Sequence, residues 1–312
     1  MFGHRRISSA ALTSTGAACL LLASLALPAG AAAANTVPVA NAAKPSAASP
    51  DCKPATAFHR GDFPDHPKID NRYLPLTPGM NTVVSGTVVG DDGKLHPHQI
   101  IATATNVTKV IYGVRTMVLY ERDIQDGKLQ EPELAFQAQD EAGTVWNIGE
   151  YPEEYVNGKL DGAPSTWIAG IDHAKPGVNV LAHPKVGIPA YLQGLASSVG
   201  FHDCAKVVRT GQHLCLKIGC YHGVLVTDEW SPLDPSSGHQ RKYYAPGVGS
   251  IRVGAVGGAN QEVLSLTSVT KLSRAALAKV NAAVLRQDRR GYRVSPDVYG
   301  HTPRAVLEHR VD

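Results

Sequence analysis

The 312-residue chain predicts a mainly β fold: a curled antiparallel sheet, a half-barrel-like meander, with one C-terminal helix and a long central loop. Three observations predict it. Runs rich in Val, Ile, Thr and aromatics recur at strand length between Asn81 and Leu272. Turn-forming residues punctuate them, and no helix of ten or more residues separates them, as parallel βαβ winding would require.

The elements follow in order. "NTVVSGTVV", "HQIIATATNVTKVI", "VRTMVLYERD", "ELAFQAQD" and "TVWNIGEY" read as strands. Asp91-Asp92-Gly93, Tyr112-Gly113, Asp126-Gly127 and Glu141-Ala142-Gly143 separate them as hairpin turns. The stretch from Tyr155 to Val199 is dense in Gly and Pro and reads as long ordered loops, with one short helix over Pro189–Ser198. Trp167, Ile168 and Ile171 argue that this loop packs against the body. Strands resume at "CAKVVRT", "YHGVLVTDEW", "HQRKYYAP", "GSIRVGAV" and "QEVLSLTSVTKL". A helix then opens at Ser273, carries Leu277, Val280 and Val284 on one stripe, and is expected to stop at Gly291.

"KYYAPGVGSIR" tests the scheme, because its glycines could belong to a phosphate-gripping loop. That loop needs Gly-x-Gly-x-x-Gly between a strand and a helix. Here Arg252 stands at the third glycine position and a strand follows. The stretch therefore reads as a strand–bend–strand corner.

Residues 1–33 read as a secretory signal: Arg5 and Arg6, an apolar run over 17–28, then small residues. That run is shorter than the roughly 20 residues a membrane span takes, and no later segment is greasier, so no transmembrane span is expected. Cys19 lies inside the run, with apolar residues continuing past it, which argues against lipid attachment there. Residues 34–57, mostly Ala, Pro, Ser and Thr, read as a flexible linker. One β-rich domain over 58–290 and a C-terminal tail over 291–312 complete the division. Without Arg5 and Arg6 the chain holds 28 basic and 27 acidic residues, so it lacks the electrostatic footprint of a nucleic-acid partner.

Cys52, Cys204, Cys215 and Cys220 form an even set in a chain read as exported, which points to two disulfides and a secreted or extracytoplasmic location. Three connectivities are possible. Clustering of three cysteines favours one local bridge and one tying Cys52 to the body. A zinc site is the rival reading, and Cys-x4-Cys fits the usual spacings poorly.

Five ordered blocks carry a family likeness: "DNRYLPLTPG", "AQDEAGTVWNIGE", "TWIAGIDHAKPG", "VLVTDEWSPLDP" and "KYYAPGVG". Over most of Ile69–Thr270 the chain resembles a group of uncharacterised exported bacterial β-rich proteins. More loosely, the "YAPGVG" corner is similar to those of LolA/LolB-like curled antiparallel sheets. That likeness implies a concave face able to hold an apolar ligand and implies nothing about catalysis. The local cysteine cluster and the 13 histidines depart from the group's pattern.

Two functions follow as expectations. The first is a secreted protein binding an apolar or amphiphilic small molecule, lipid-like ligand or envelope component, with Trp146, Trp167, Tyr243 and Tyr244 as candidate lining. The second is an extracellular hydrolase, metal-assisted or not, using His173, His183, Asp172 and Glu150, since a carboxylate near a His is the material of acid–base work. His96 and His98, two apart on a strand, face one way and with His222 make a candidate metal set. Without those three, no cofactor is expected.

Overall fold

The computed structural model describes residues 51–90, 92–259 and 261–308. The expected signal and most of the expected linker lie outside the described residues. Among the described residues sixteen strands form: β1 (Met80–Val89), β2 (Leu95–Ile111), β3 (Val114–Gln125), β4 (Lys128–Gln139), β5 (Val145–Pro152), β6 (Glu154–Val156), β7 (Lys159–Gly162) and β8 (Trp167–Ile168). They continue with β9 (Lys175–Val180), β10 (Tyr191–Ala196), β11 (Phe201–Leu216), β12 (Gly219–Trp230), β13 (His239–Ala245), β14 (Gly249–Val256), β15 (Val263–Lys271) and β16 (Val306–Leu307). The helix α1 spans Arg274–Val294.

The sheet is mainly an antiparallel meander, as expected, but it is not a half-barrel. β1 pairs with β2 on one side and with β15 on the other, which closes a ring of twelve strands in the order β1-β15-β14-β13-β12-β11-β10-β9-β5-β4-β3-β2. Closure satisfies the open edges that a curled sheet would leave unpaired. Left-handed backbone at Tyr112-Gly113 and Asp126-Gly127 makes the two-residue hairpin turns between β2 and β3 and between β3 and β4. The corner at Ala245–Gly249 joins antiparallel β13 and β14, as its residues indicated.

The central region also differs from the sequence expectation. Tyr155–Val199 is not mainly loop: it contains β7 to β10, and Tyr191–Ala196 is a strand where a short helix was expected. Strands of two to six residues, broken by Pro and Gly, carry too little periodicity to be read from sequence.

Helix α1 starts where expected, with Ser273 Oγ accepting from the Ala276 amide at 3.2 Å. It does not stop at Gly291. A Cβ there would lie 2.5 Å from the Tyr299 ring, so the glycine serves close packing rather than termination. Beyond it the chain folds back, burying Tyr299 against Tyr151 and Phe136 and pairing β16 with β2. Val284 joins the same core. Helix and return segment thus cover the outer face of β2–β5, which carries Leu134 and Phe136.

Among the described residues two disulfides form, Cys52–Cys204 and Cys215–Cys220: one local, one tying Cys52 to the body. They place the folded chain in an extracytoplasmic compartment.

Candidate functional site

Directly paired residues of adjacent strands share a face. Because Leu134 and Phe136 face α1, Glu133, Ala135 and Gln137 face the lumen. Register then traces rows around the inner wall. One runs Leu266, Val84, Ile100, Asp123, Glu131; the next joins Ala102, Glu121 and Glu133. Across the ring another runs Leu264, Val253, Lys242, Thr227, Val207. The lining mixes aliphatic side chains with ionisable ones. Toward one end, Ile69 and Leu76, from the segment before β1, pack on Ala104, Met117, Leu119, Ala135 and Val145.

The two halves of this wall differ in how their charges are satisfied. On β12 and β13, Lys242 Nζ lies 2.8 Å from Glu229 Oε2, while Thr227 and Tyr244 donate to Glu229 Oε1 at 2.7 and 3.1 Å. Burial penalises both charges, yet their mutual attraction outweighs it, lowering the Glu229 pKa and raising that of Lys242.

On β3–β5 the neighbours are acids. Glu121 stands opposite Glu133, and Asp123 opposite Glu131. Glu133 is buried and its Oε1 has no hydrogen-bond partner. Burial first, then the charges of Glu150, Glu121 and Glu131, hold its carboxyl well above the usual range. Glu150 accepts from Asn147 Nδ2 at 2.6 Å and Trp167 Nε1 at 3.0 Å. Burial pushes it up to about 7, with those hydrogen bonds opposing and Asp203 reinforcing. Nearer the β3–β4 turn, His98 Nε2 meets Asp123 Oδ1 at 2.9 Å, and its Nδ1 lies 2.9 Å from Glu262 Oε1, off a good hydrogen-bond line. Burial works against the imidazolium, but the two carboxylates prevail and raise it to about 9.

Of the candidate lining residues, Trp167 and Tyr244 face inward, the first stacked on Phe201 at 4.9 Å. Trp146 faces outward, where Phe58 and Phe63 cover it, and Tyr243 alternates with Tyr244 to face outward beside Arg252. The structure therefore does not bring the four aromatics together.

Among the candidate catalytic residues, Glu150 is inside. Asp172 and His173 form an exposed left-handed turn before β9, and His183 is exposed between β9 and β10. The candidate metal set divides likewise. His96 is held by Asp92 at 2.9 Å and Asp126 at 2.8 Å, one step along β2 from His98, whereas His222 stacks on His213 at the β11–β12 hairpin.

Glu121, Glu131, Glu133 and Lys242 escaped the sequence reading. Their signal was polar alternation along strands, which looks the same whether the polar side meets solvent or a lumen.

No protein-family model matches the chain, and no curated protein does. Two solved structures show likeness. One, from Bacteroides fragilis, is described as an exported protein with YmcC-like fold; identity is 12%, coverage 64% of this chain and 99% of that one, and the TM-score 0.34. The other, described as a lipoprotein from Parabacteroides distasonis, gives 10% identity, coverage of 66% and 100%, and a TM-score of 0.33. At TM-scores this low, neither likeness bears on function.

Proposed function

We propose that this protein is an extracytoplasmic barrel that holds an amphiphilic small molecule in its lumen. The observation that carries the reading is the closed twelve-strand ring with an inner wall both aliphatic and acidic. Barrel diameter grows with strand number: about eight strands enclose a space that side chains or one small ligand fill, and 16 or more leave a channel. Twelve fall between; Leu264 and Val253 are fully buried and Leu266 and Ile100 nearly so, so an elongated guest takes its place by parting these side chains. Leu264, Leu266, Ile100 and Val253 suit its chain, and the Glu133 carboxyl suits a hydrogen-bond-donating head. To test this, the purified protein is incubated with a bacterial lipid extract, re-isolated and analysed by native mass spectrometry. One retained amphiphile per chain supports the reading; bare protein throughout overturns it.

A second reading, an extracellular hydrolase, draws on Glu150, whose pKa of about 7 suits general acid–base work. In that reading His173 and His183 serve at the surface turns. Hydrolysis of ester or glycoside substrates that is lost in Glu150→Gln would favour it over binding alone.

A further inference from the structure

The tip of the β11–β12 hairpin carries four potential metal ligands on one face. Cys215 is paired directly with Cys220, and Leu214 with Tyr221. His213 and His222 lie two residues from the respective cysteines, so period-two alternation puts both imidazoles on the cysteines' side. A bulge at Gly223, with φ of 70°, brings the two rings together; they stack with centroids 4.3 Å apart. His213 Nε2 lies 3.5 Å from Cys215 Sγ, and the ligand atoms of His213, Cys215 and Cys220 all fall within 4.8 Å of one another. All four side chains are exposed.

We propose that this tip is a redox-gated zinc site. With the bridge closed, the sulfurs are spent on each other. An external dithiol opens it: one thiolate attacks a bridge sulfur to give a mixed disulfide, and the second displaces the remaining protein sulfur. The reductant leaves as its own disulfide, and Cys215 and Cys220 each gain one electron and one proton. Zn2+ then binds both sulfurs as thiolates, the two thiol protons pass to solvent, and His213 and His222 complete a tetrahedral Cys2His2 set. Cys-x4-Cys sits at the long end of the spacing such sites use, and the hairpin register makes it workable. His202 also lies beside the other bridge, 3.8 Å from Cys52 Sγ, but there Cys204 is fully buried. That bridge is a structural tie, whereas the hairpin tip is open to both reductant and metal.

The full chain is reduced mildly until two thiols per chain are free, then titrated with Co2+ as a spectroscopic stand-in for Zn2+. The expected result is one Co2+ per chain with tetrahedral, thiolate-type absorption, bound at least about tenfold more tightly than by oxidised protein. His213→Ala/His222→Ala should lose that spectrum with circular dichroism unchanged. Cys215→Ser/Cys220→Ser, which keeps Cys52 and Cys204, should bind no better reduced than oxidised. Equal binding by oxidised and reduced wild type, an octahedral spectrum, or full binding by the serine variant would overturn the proposal.

Discussion

Two faces of the same strands bury charge in opposite ways. On the outer face, under α1, the buried Lys109 and the buried Glu153 each have a complement. Lys109 Nζ donates to Asp288 at 2.7 Å, Tyr292 at 3.0 Å and the Pro303 carbonyl at 2.7 Å. Arg290 grips Glu153 through two hydrogen bonds, at 3.0 and 2.6 Å. On the inner face of β3–β5, Glu133 is buried among the charges of Glu150, Glu121 and Glu131 and has an oxygen with no partner. Folding alone would favour aliphatic residues there, since isolated buried carboxylates cost stability. The difference separates charges that hold the fold from charges kept for something that enters it.

The comparison breaks most sharply at Lys109. Lys109→Met should cost about 3–5 kcal/mol, because it strands buried Asp288. Lys109→Met/Asp288→Leu should lose much less, as measured by denaturant midpoints. If the single variant is as stable as wild type, the outer pair is not structural.

The inner wall should show itself in pH dependence. Glu150 moves from the ordinary 4.5 to about 7 on folding. Between those values the folded state holds more protons than the unfolded one, so stability falls as pH rises, by about 3 kcal/mol in all. Glu150→Gln should flatten that slope in unfolding curves collected across the window. An equally steep slope in the variant would remove Glu150 from the account.

The exposed pair Lys68–Asp70, at 2.6 Å, provides the lower bound. Lys68→Ala should change stability by at most about 0.5 kcal/mol. A larger loss in the same unfolding assay would mean that surface pairs rival the buried ones.

Most of the long strands were legible from sequence, because β-branched runs between turn residues are a local signal. So was the bridge pattern. Closure was not, since it depends on β1 meeting both β2 and β15, a contact between distant segments that no local pattern encodes. Nor was the acidic wall. A strict two-residue hairpin at Asp126-Gly127 would place Glu121 opposite Pro132. The register shift between Asp123 and Ile124 moves it opposite Glu133, and nothing in "YERDIQDGKLQEPE" announces that shift. Trp146 and Trp167 looked equivalent as aromatics, and only the register shows that they face opposite sides.

That last contrast supplies the most direct test of the lumen. The chain has three tryptophans, of which Trp167 faces inward, Trp146 lies under Phe58 and Phe63, and Trp230 stacks on His239. Fluorescence of Trp146→Phe/Trp230→Phe and of Trp167→Phe would be titrated with a brominated long-chain amphiphile. Saturable quenching of Trp167 with little effect on the outer indoles is the predicted result. Quenching confined to Trp146 and Trp230, or none at any concentration, would contradict a guest in the lumen.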